Sequence, residues 1–341
     1  MKLITFLNLQ NDERLGMMID GQIIDLQLAA REIVSDLPTN ILDFLQGGAS
    51  TLKIAADIEK AYRKGLILPV ANQTDMQLLS PVPHPPSTRD GYAFRQHVET
   101  ARRNRGVPMI PEFDQFPVFY FTNHNSIIGE GVLAVEDDHL QKLDFELEVA
   151  AVIGKRGRNI EAKDADSYIF GYTIMNDFSA RVLQMEEMQL SLGPAKGKDF
   201  ATALGPWLVS SDELESYKIA TPNGDKYNLE MKAFHNGKQV SSGNMKDMNW
   251  TFAEIIERAS YGVDLYPGDV IGSGTVGTGC YLELNGTATI KAKEKGESYT
   301  PVWLKDGDTI ELEISGLGRL KNTVAKRPKH NSILEKKKNV V

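Results

Sequence analysis

Three acidic residues alternate along one short segment of the sequence. In LDFELEVAAVIG (residues 143–154), Asp144, Glu146 and Glu148 occupy every second position before an apolar run. On a β-strand such positions share one face, which places the three carboxylates side by side. This could be the wet face of an edge strand, although a run such as VAAVI is typical of strands covered on both faces. Buried carboxylates need a cation, a proton or hydrogen-bond donors, so the alternative is a site for Mg²⁺ or Ca²⁺.

A second polar group follows an apolar strand in GYTIMNDFSARVLQMEEM (171–188). Asp177, Arg181 and Gln184 are spaced i, i+4, i+7, which predicts one face of a helix that begins near residue 177. An exposed ion pair would explain this spacing. The position favours a ligand site equally, because ligands tend to bind where strands end and helices begin.

A histidine lies among reactive side chains in RDGYAFRQH (89–97). Asp90 precedes His97 by seven residues, with Tyr92 between them. A lone histidine is more often structural than catalytic. This one stands in the densest group of reactive residues, as expected of a general base that can be tuned near neutral pH.

Two loops could contribute to the same chemistry. GPAKGKDFATALGPW (193–207) carries Lys196 and Lys198, which are either surface lysines or groups that stabilise an anion. GSGTVG (272–277) formally matches a dinucleotide-binding fingerprint. The residues after it, TGCYLELNG, predict a strand and not a helix, so no helix N-terminus is expected for a pyrophosphate. Glycines there favour a tight loop with close backbone approach, and Cys280 is expected to be a buried thiol.

Composition excludes several classes of protein. The chain has 341 residues, 41% of them hydrophobic, and a net charge of −8, which argues against nucleic-acid binding. The sequence has no apolar window long enough for a membrane span. One cysteine rules out internal disulfides and suits a reducing compartment, so a cytoplasmic protein is expected. The lysine-rich residues 331–341 are expected to form a solvated basic tail.

Strand signals outnumber helix signals along the chain and predict a β-rich α+β fold rather than an alternating wound sheet. Helical patterns are confined to four places: 40–46, 52–64, 177–189 and 251–260. Four prolines within 81–86 mark a boundary between a small N-terminal β-containing domain (1–78) and a larger domain (79–330).

Together, the segments from Asp90 to residue 322 resemble the fumarylacetoacetate hydrolase family. The acidic strand, MND (175–177), RDGYAFRQH, NDFSARVLQ, GKDFATALGPW and GSGTVGTGCYLELNG each resemble a motif of that family. The resemblance implies a mixed β-roll-type catalytic domain and a homodimer. It also implies a divalent metal, Mg²⁺ or Ca²⁺ with Mn²⁺ as a further option. The implied metal-site residues are Asp90, Glu146, Glu148, Asp177, Lys198 and Thr202.

The family resemblance also implies roles in catalysis and substrate binding. His97, held by Glu283, would act as the base, and the oxyanion would be stabilised by Arg181, Gln184 and Lys198. The implied substrate-binding residues are Tyr92, Tyr120, Arg181, Gln184 and Thr275. Asp144 has no assigned role and is expected to be solvated.

The implied activity is metal-dependent hydrolysis of a carbon–carbon bond in a 3,5-diketo acid, with fumarylacetoacetate in tyrosine and phenylalanine catabolism as the leading substrate. The spacing of Asp90 and His97, together with Glu283, resembles the fumarylacetoacetate-cleaving members of the family more than its smaller relatives. Acylpyruvate hydrolysis, or 2-oxo acid hydration, isomerisation or decarboxylation, are alternatives within the family, and a non-catalytic metal-binding protein is an alternative outside it. Two departures concern the substrate: Met188 stands at a family tyrosine position, and Gly106 stands at a family arginine position near Arg102, Arg103 and Arg105.

Overall fold

The computed structural model describes residues 1–338 and shows a strand-rich α+β fold, which confirms the predicted class. The strands of the N-terminal part are β1 (Lys2–Leu7), β2 (Glu13–Ile19), β3 (Gln22–Asp25) and β4 (Ala71–Asn72). Those that follow are β5 (Thr88–Gly91), β6 (Phe119–Thr122), β7 (Ile127–Ile128), β8 (Gly131–Val135), β9 (Leu143–Asp144), β10 (Leu147–Ile153), β11 (Gly157–Arg158), β12 (Ile169–Asp177), β13 (Ser179–Ala180), β14 (Thr202–Ser210), β15 (Lys218–Ile219), β16 (Lys226–Tyr227), β17 (Glu230–His235), β18 (Lys238–Asn244), β19 (Asp264–Leu265), β20 (Val270–Gly272), β21 (Thr309–Ile314) and β22 (Gly318–Lys326).

Helices are fewer and mostly short. They are α1 (Leu26–Glu32), α2 (Ile41–Gln46), α3 (Ala49–Arg63), α4 (Arg95–Asn104), α5 (Asp137–Leu140), α6 (Ala162–Ala165), α7 (Arg181–Met188), α8 (Phe252–Ser260) and α9 (Tyr281–Glu294). Short 3₁₀ segments cover Gln73–Asp75, Pro111–Asp114, Asp166–Tyr168, Ser211–Tyr217, Met245–Asp247 and Leu334–Lys336. Among residues 1–338, no helix has both the length and the apolar character that crossing a bilayer requires.

Most strands belong to two sheets. The larger has the order β4-β3-β2-β1-β14-β12-β10-β20-β5-β6, with β7 beside β14, and the smaller has the order β18-β17-β21-β22-β8. Because β1 pairs with β14, the strands of residues 1–78 extend the sheet of the larger part. The domain boundary at the prolines stays a prediction.

The central strand β10 explains the doubly apolar run VAAVI. All seven of its residues are buried. Val149, Ala151 and Ile153 belong to the main apolar core, whereas Ala150 and Val152 belong to a second core shared with the N-terminal helices. Successive side chains of a strand point to opposite faces, so each face of β10 covers a different core.

Two of the predicted elements have bounds in the structure that differ from those predicted. The strand expected over 143–154 is interrupted at residues 145–146, where β9 ends its pairing with β13 before β10 pairs with β12 and β20. The helix expected over 177–189 begins only at Arg181, because Asp177 is still paired in β12. The expected helical face with Asp177 is therefore wrong, although tertiary contacts bring the same side chains together.

The strand predicted for TGCYLELNG (278–286) is wrong from Tyr281 onward, because residues 281–294 form helix α9. The alternation in YLEL resembles a strand, but Asp144 stabilises a helix start here by accepting hydrogen bonds from the backbone N–H groups of Tyr281 (2.7 Å) and Leu282 (2.9 Å). A helix therefore follows GSGTVG, and not the strand that the sequence predicts. Its N-terminus is occupied by the Asp144 carboxylate, which leaves no place for a pyrophosphate.

The predicted basic tail is described as far as residue 338, and residues 339–341 lie outside the described part. Ser332 and Leu334 form hydrogen bonds to Asp138, and Lys337 forms an ion pair with Glu186. These contacts fix part of the segment, but most of residues 331–338, including Lys336 and Lys337, are exposed, and the basic tail stays a prediction.

Candidate active site and metal centre

Four carboxylates from separate segments meet at the middle of the large sheet. Asp90 lies in β5, Glu148 in β10 and Asp177 at the end of β12, and Glu146 lies in the break before β10. One oxygen from each lies within 4.8 Å of the others, and all four side chains are buried. β10 pairs with β12 on one side and with β20 on the other, and β20 pairs with β5. The sheet order therefore brings together acids that lie far apart in the sequence.

Burial and mutual repulsion favour protons on this cluster. Burial, with the nearby charge of Asp177, raises the pKa of Asp90 to about 7. Burial and the charge of Asp90 raise the pKa of Glu148 well above its ordinary value. Burial alone would also raise the pKa of Glu146, but Lys198 and Arg181 lower it to about 2. Like-charged carboxylates in one buried site cannot all ionise without a compensating cation.

The donor set fits a hard divalent cation. Within the described residues, Glu148 Oε2 and Asp177 Oδ1 are buried oxygens without a hydrogen-bond partner, and unsatisfied buried acceptors are costly. Carboxylate oxygens are the ligands that Mg²⁺, Ca²⁺ and Mn²⁺ take. Asp90, Glu146, Glu148 and Asp177 are therefore the residues that could hold such an ion.

Lys198 and Thr202, also expected at the metal, lie beside the cluster. The Lys198 ammonium donates to Asp177 Oδ2 (2.7 Å) and to Glu146. Although burial opposes it, the charges of these two acids raise the pKa of Lys198. A protonated amine has no lone pair for a metal, so Lys198 acts here as a hydrogen-bond donor and counter-charge. Thr202 is buried in β14 directly opposite Asp177.

The interacting pair His97–Glu283 (the dyad below) forms where α4 contacts α9. His97 Nδ1 lies 2.7 Å from Glu283 Oε2, and both side chains are less than a tenth exposed. Asn104, at the other end of α4, donates to the backbone oxygen of Glu283 (3.0 Å) and so holds the two helices in register. Tyr92 packs edge-on against the His97 ring. The hydrogen bond to Nδ1 orients the ring and leaves Nε2 to exchange protons with a ligand.

A cavity of about 950 Å³ joins these groups. Glu148, Asp177 and Thr202 lie behind its wall, and Glu283 lies behind His97. The cavity is lined by most of the residues expected in the site: Asp90, Tyr92, His97, Tyr120, Glu146, Arg181, Gln184, Lys198 and Thr275. The sequence-derived residues are thus brought together around one space.

Hydrogen bonds position the proposed substrate-binding residues around the acids. Tyr120 donates to Asp177, and Thr275 donates to Glu148 Oε1 at 3.4 Å. Arg181 donates to Glu146 Oε1 (2.7 Å) and to Gln184 Oε1 (2.9 Å). The orientations of Tyr120, Thr275 and Arg181 are therefore set by cluster acids, and that of Gln184 is set by Arg181.

The GSGTVG loop also serves the site. Gly274 N–H donates to Asp90 Oδ1 (3.0 Å). Gly274 has a left-handed φ of 77°, and a Cβ there would lie 2.6 Å from the backbone oxygen of Gly91. Only glycine allows this approach, as expected for a tight loop. Cys280, just after the loop, is buried as expected, and burial raises the pKa of its thiol well above the ordinary value.

Asp144, expected to be solvated, is fully buried, so that expectation is wrong. Its carboxylate accepts from Arg181 Nε (2.8 Å) and from the first N–H groups of α9. It therefore holds together the arginine of the cavity and the helix that carries Glu283. The shared face with Glu146 was the only sequence signal for this role.

Asp144→Asn is expected to lower the free energy of unfolding by about 3 kcal/mol, because it leaves the buried Arg181 without its full counter-charge. Urea unfolding followed by circular dichroism would measure the loss. Asp247→Asn, at an exposed position, is the matched control and is expected to change stability by less than about 0.5 kcal/mol. Equal stability of the two variants would contradict the positioning role.

Metal stabilisation is expected to increase with pH. The raised pKa values of Asp90 and Glu148 favour protons on the ion-free cluster, which an ion must displace, so affinity rises by up to about tenfold per pH unit for each displaced proton. The raised pKa of Asp90 has a second effect. The ion-free protein loses stability as pH rises from about 4 to about 7, because the unfolded chain releases this proton more readily. Thermal unfolding with and without Mg²⁺ should show a larger shift at pH 8 than at pH 5.5; an equal shift would contradict proton displacement.

The two departures from the family pattern also lie near the cavity. Met188 and Arg105 line it. Gly106 has a left-handed φ of 71° in the turn that ends α4, where a longer side chain would be strained. Lining residues without a role predicted from the sequence include Lys142, Met185, Trp303, Leu334 and Lys337. Of these, Met185 lies inside the segment 171–188, on the helix that begins at Arg181.

Comparisons with known proteins agree with this geometry. The family model described as "Fumarylacetoacetate (FAA) hydrolase C-terminal" matches residues 87–325. The human protein named oxaloacetate tautomerase FAHD2A, mitochondrial, is 31% identical over 290 residues, covering 84% of this chain and 80% of its own. The rice protein named fumarylacetoacetase is 30% identical over 304 residues, covering 74% of this chain and 68% of its own.

The fold is shared with a solved structure. Maleylpyruvate hydrolase from Sphingobium sp. SYK-6, crystallised with manganese(II) and pyruvate, superposes with a TM-score of 0.63 at 22% identity, covering 96% of this chain and 99% of that one. The family model covers well over half of the chain and includes all four cluster acids and the dyad. The chain is therefore an enzyme of the fumarylacetoacetate hydrolase family.

Proposed function

We propose that this enzyme hydrolyses a carbon–carbon bond in a 3,5-diketo acid with the help of a divalent metal, and that fumarylacetoacetate, cleaved to fumarate and acetoacetate, is its leading substrate. The observation that carries the proposal is the buried pair of His97 and Glu283, joined at 2.7 Å, whose His97 lines the same cavity as Asp90 and Glu146 of the acidic cluster. Hydrolysis needs a base for water and a site that stabilises an enolate, and this cavity has groups suited to both.

The metal would supply Lewis acidity toward the diketone oxygens. His97 takes a proton from water at Nε2, and the resulting hydroxide attacks the acyl carbonyl carbon. Glu283 stabilises the imidazolium that forms. The carbon–carbon bond then breaks, and the released carbanion, stabilised as an enolate, receives the proton that His97 took from water. Water is thereby divided between the two products: hydroxide on the acyl fragment and hydrogen on the other.

Three donors stabilise the negative charge that develops on the substrate. Arg181 and Lys198 are buried cations with a fixed orientation, and Gln184 is held by Arg181. Such groups are preorganised and need no rearrangement as the oxyanion forms. The nearby Tyr120 is a neutral donor, since burial and the charge of Asp177 raise its pKa well above the ordinary value.

A second candidate is tautomerisation of a 2-oxo acid such as oxaloacetate, which is favoured by the name of the human relative at 31% identity. The same cavity could perform it without attack by water. His97 would move a proton between carbon and oxygen of one substrate, and the cluster would again support the enolate.

One experiment separates these candidates. The metal-loaded protein is incubated with fumarylacetoacetate, with a series of acylpyruvates and with oxaloacetate, using Mg²⁺, Mn²⁺ or Ca²⁺ and then EDTA. Hydrolysis is followed by loss of diketone absorbance and by product analysis, and tautomerisation by the rate of enol–keto exchange. Metal-dependent cleavage of fumarylacetoacetate supports the proposal.

The other outcomes each point elsewhere. Cleavage of acylpyruvates alone would support metal-dependent hydrolysis of a carbon–carbon bond but would replace fumarylacetoacetate with an acylpyruvate as the substrate. Accelerated enol–keto exchange without any cleavage supports the tautomerase, and hydration or decarboxylation products would indicate the remaining family alternatives. Metal binding with no substrate altered leaves a non-catalytic metal-binding protein.

A further inference from the structure

Residues 330–338, called the covering segment, lie against the outer part of the cavity. Its anchor is Asp138, a side chain only 4% exposed. The Asp138 carboxylate accepts from Ser332 Oγ (2.7 Å), from Ile333 N–H (2.7 Å) and from Leu334 N–H (3.2 Å). A buried acid that accepts hydrogen bonds mainly from one distant segment holds that segment in a defined position.

The anchored segment places two side chains at the cavity. Leu334 and Lys337 both line it, and the Lys337 ammonium lies 2.8 Å from Glu186 Oε1 of α7. This ion pair is partly exposed, with Lys337 63% and Glu186 38% accessible. The contact is therefore weak enough for a ligand carboxylate to share the ammonium.

The outer cavity carries an excess of positive charge. Arg181 and Lys198 are occupied by the acidic cluster. The remaining charged lining residues are three cations and one anion: Arg105, Lys142, Lys337 and Glu186. Among the described residues, Arg105 and Lys142 have no carboxylate within ion-pair distance. A cavity with cations at its mouth attracts an anionic group at the end of a ligand distant from the metal.

We propose that the covering segment recognises the distal end of the substrate, with Leu334 against its carbon chain and Lys337 toward a second carboxylate. These are specificity-determining residues that select dicarboxylates over monocarboxylates. The inference deepens the proposed function, since it assumes that the substrate's oxo-acid end lies at the acidic cluster.

The test uses two ligands that differ only in the distal group, 2-oxoadipate and 2-oxohexanoate. Neither is a 3,5-diketo acid, so binding does not depend on hydrolysis. Titration calorimetry on the full-length, Mg²⁺-loaded protein measures both dissociation constants. Wild type is expected to bind 2-oxoadipate about tenfold more tightly, the size of one charged hydrogen bond.

Three variants and one control locate the effect. Lys337→Met is expected to reduce the preference to about threefold or less, with 2-oxohexanoate binding unchanged. Leu334→Ala is expected to weaken both ligands about equally. Asp138→Asn, which weakens the anchor, is expected to reduce the preference for 2-oxoadipate and to weaken the binding of both ligands. Lys336→Met changes a neighbouring lysine that does not line the cavity and should leave both constants as in wild type.

The proposal is overturned if wild type shows no preference or binds neither ligand, or if Lys337→Met retains the full preference. A preference retained in Lys337→Met would assign the distal carboxylate to Arg105 or Lys142 alone. An enzyme that shows the expected preference but cleaves no diketo acid would reject the proposed hydrolysis and leave the specificity assignment standing.

Discussion

Replacing His97 with asparagine lowers kcat for the diketo acid by about 10³-fold, within the range that a positioned general base contributes. The side chain lines the cavity, and the carboxylate of Glu283 orients its ring from behind. Asparagine keeps a polar group of similar size but cannot accept the proton of water. Since the base acts in the chemical step, kcat falls far more than KM rises. Stopped-flow absorbance with saturating metal would measure both constants.

Three further variants make this expectation specific to the dyad. Glu283→Gln is expected to lose much of the same activity, and the double variant no more than the His97 variant alone, because the two residues act as one unit. Mg²⁺ affinity should remain within about threefold of wild type, since neither residue belongs to the acidic cluster. His124→Asn, at an exposed position, is the matched control. Near-normal turnover by His97→Asn would assign the base elsewhere.

Glu148→Gln weakens Mg²⁺ binding by at least about 10²-fold and removes metal-dependent turnover, because even residues that only support a ligand are worth 10–100-fold. Glu148 is fully buried in β10, and its Oε2 lacks a hydrogen-bond partner within the described residues. Glutamine has the same shape but offers a neutral oxygen to a divalent ion. Titration calorimetry of the metal, with turnover measured in parallel, would show the effect.

The same substitution is expected to leave the ion-free protein about as stable as wild type. Burial and Asp90 raise the pKa of Glu148, which favours its neutral form in the ion-free protein, and glutamine imitates that form. Thermal unfolding with EDTA should show little change, whereas the stabilisation by Mg²⁺ should be lost. Glu297→Gln, an exposed exchange of the same kind, should retain both properties. Full Mg²⁺ stabilisation in Glu148→Gln would show that this acid is not a ligand.

The sequence predicts the residues of the site more accurately than the helices and strands that carry them. Motif resemblance predicts the cluster acids, His97 and Glu283, whereas the predictions of a strand at α9 and of a helix start at residue 177 are wrong. Local alternation in YLEL cannot show that a carboxylate 137 positions earlier lies at the start of that helix. Such long-range capping overrides local pattern, and single-sequence reasoning does not include it.

The surroundings of individual side chains could not be predicted from the sequence either. Asp144, Glu146 and Glu148 look alike in the sequence, but the structure gives each a different set of contacts. Asp144 binds Arg181 and the start of α9, and Glu146 binds Arg181 and Lys198. Within residues 1–338, Glu148 has one buried oxygen without a hydrogen-bond partner. The break between β9 and β10 redirects the chain between these residues, and periodicity does not predict it.

By itself, the sequence determined the class of fold, the residues able to do chemistry and the family, because strand composition and short motifs are local properties. Only the tertiary structure decided how the acids share protons and cations, that Asp144 is buried, and that Leu334 and Lys337 line the cavity. These depend on distances between segments far apart in the chain. Burial and charge act through space, so Asp138 and Leu334 become neighbours across 196 positions that no local pattern connects.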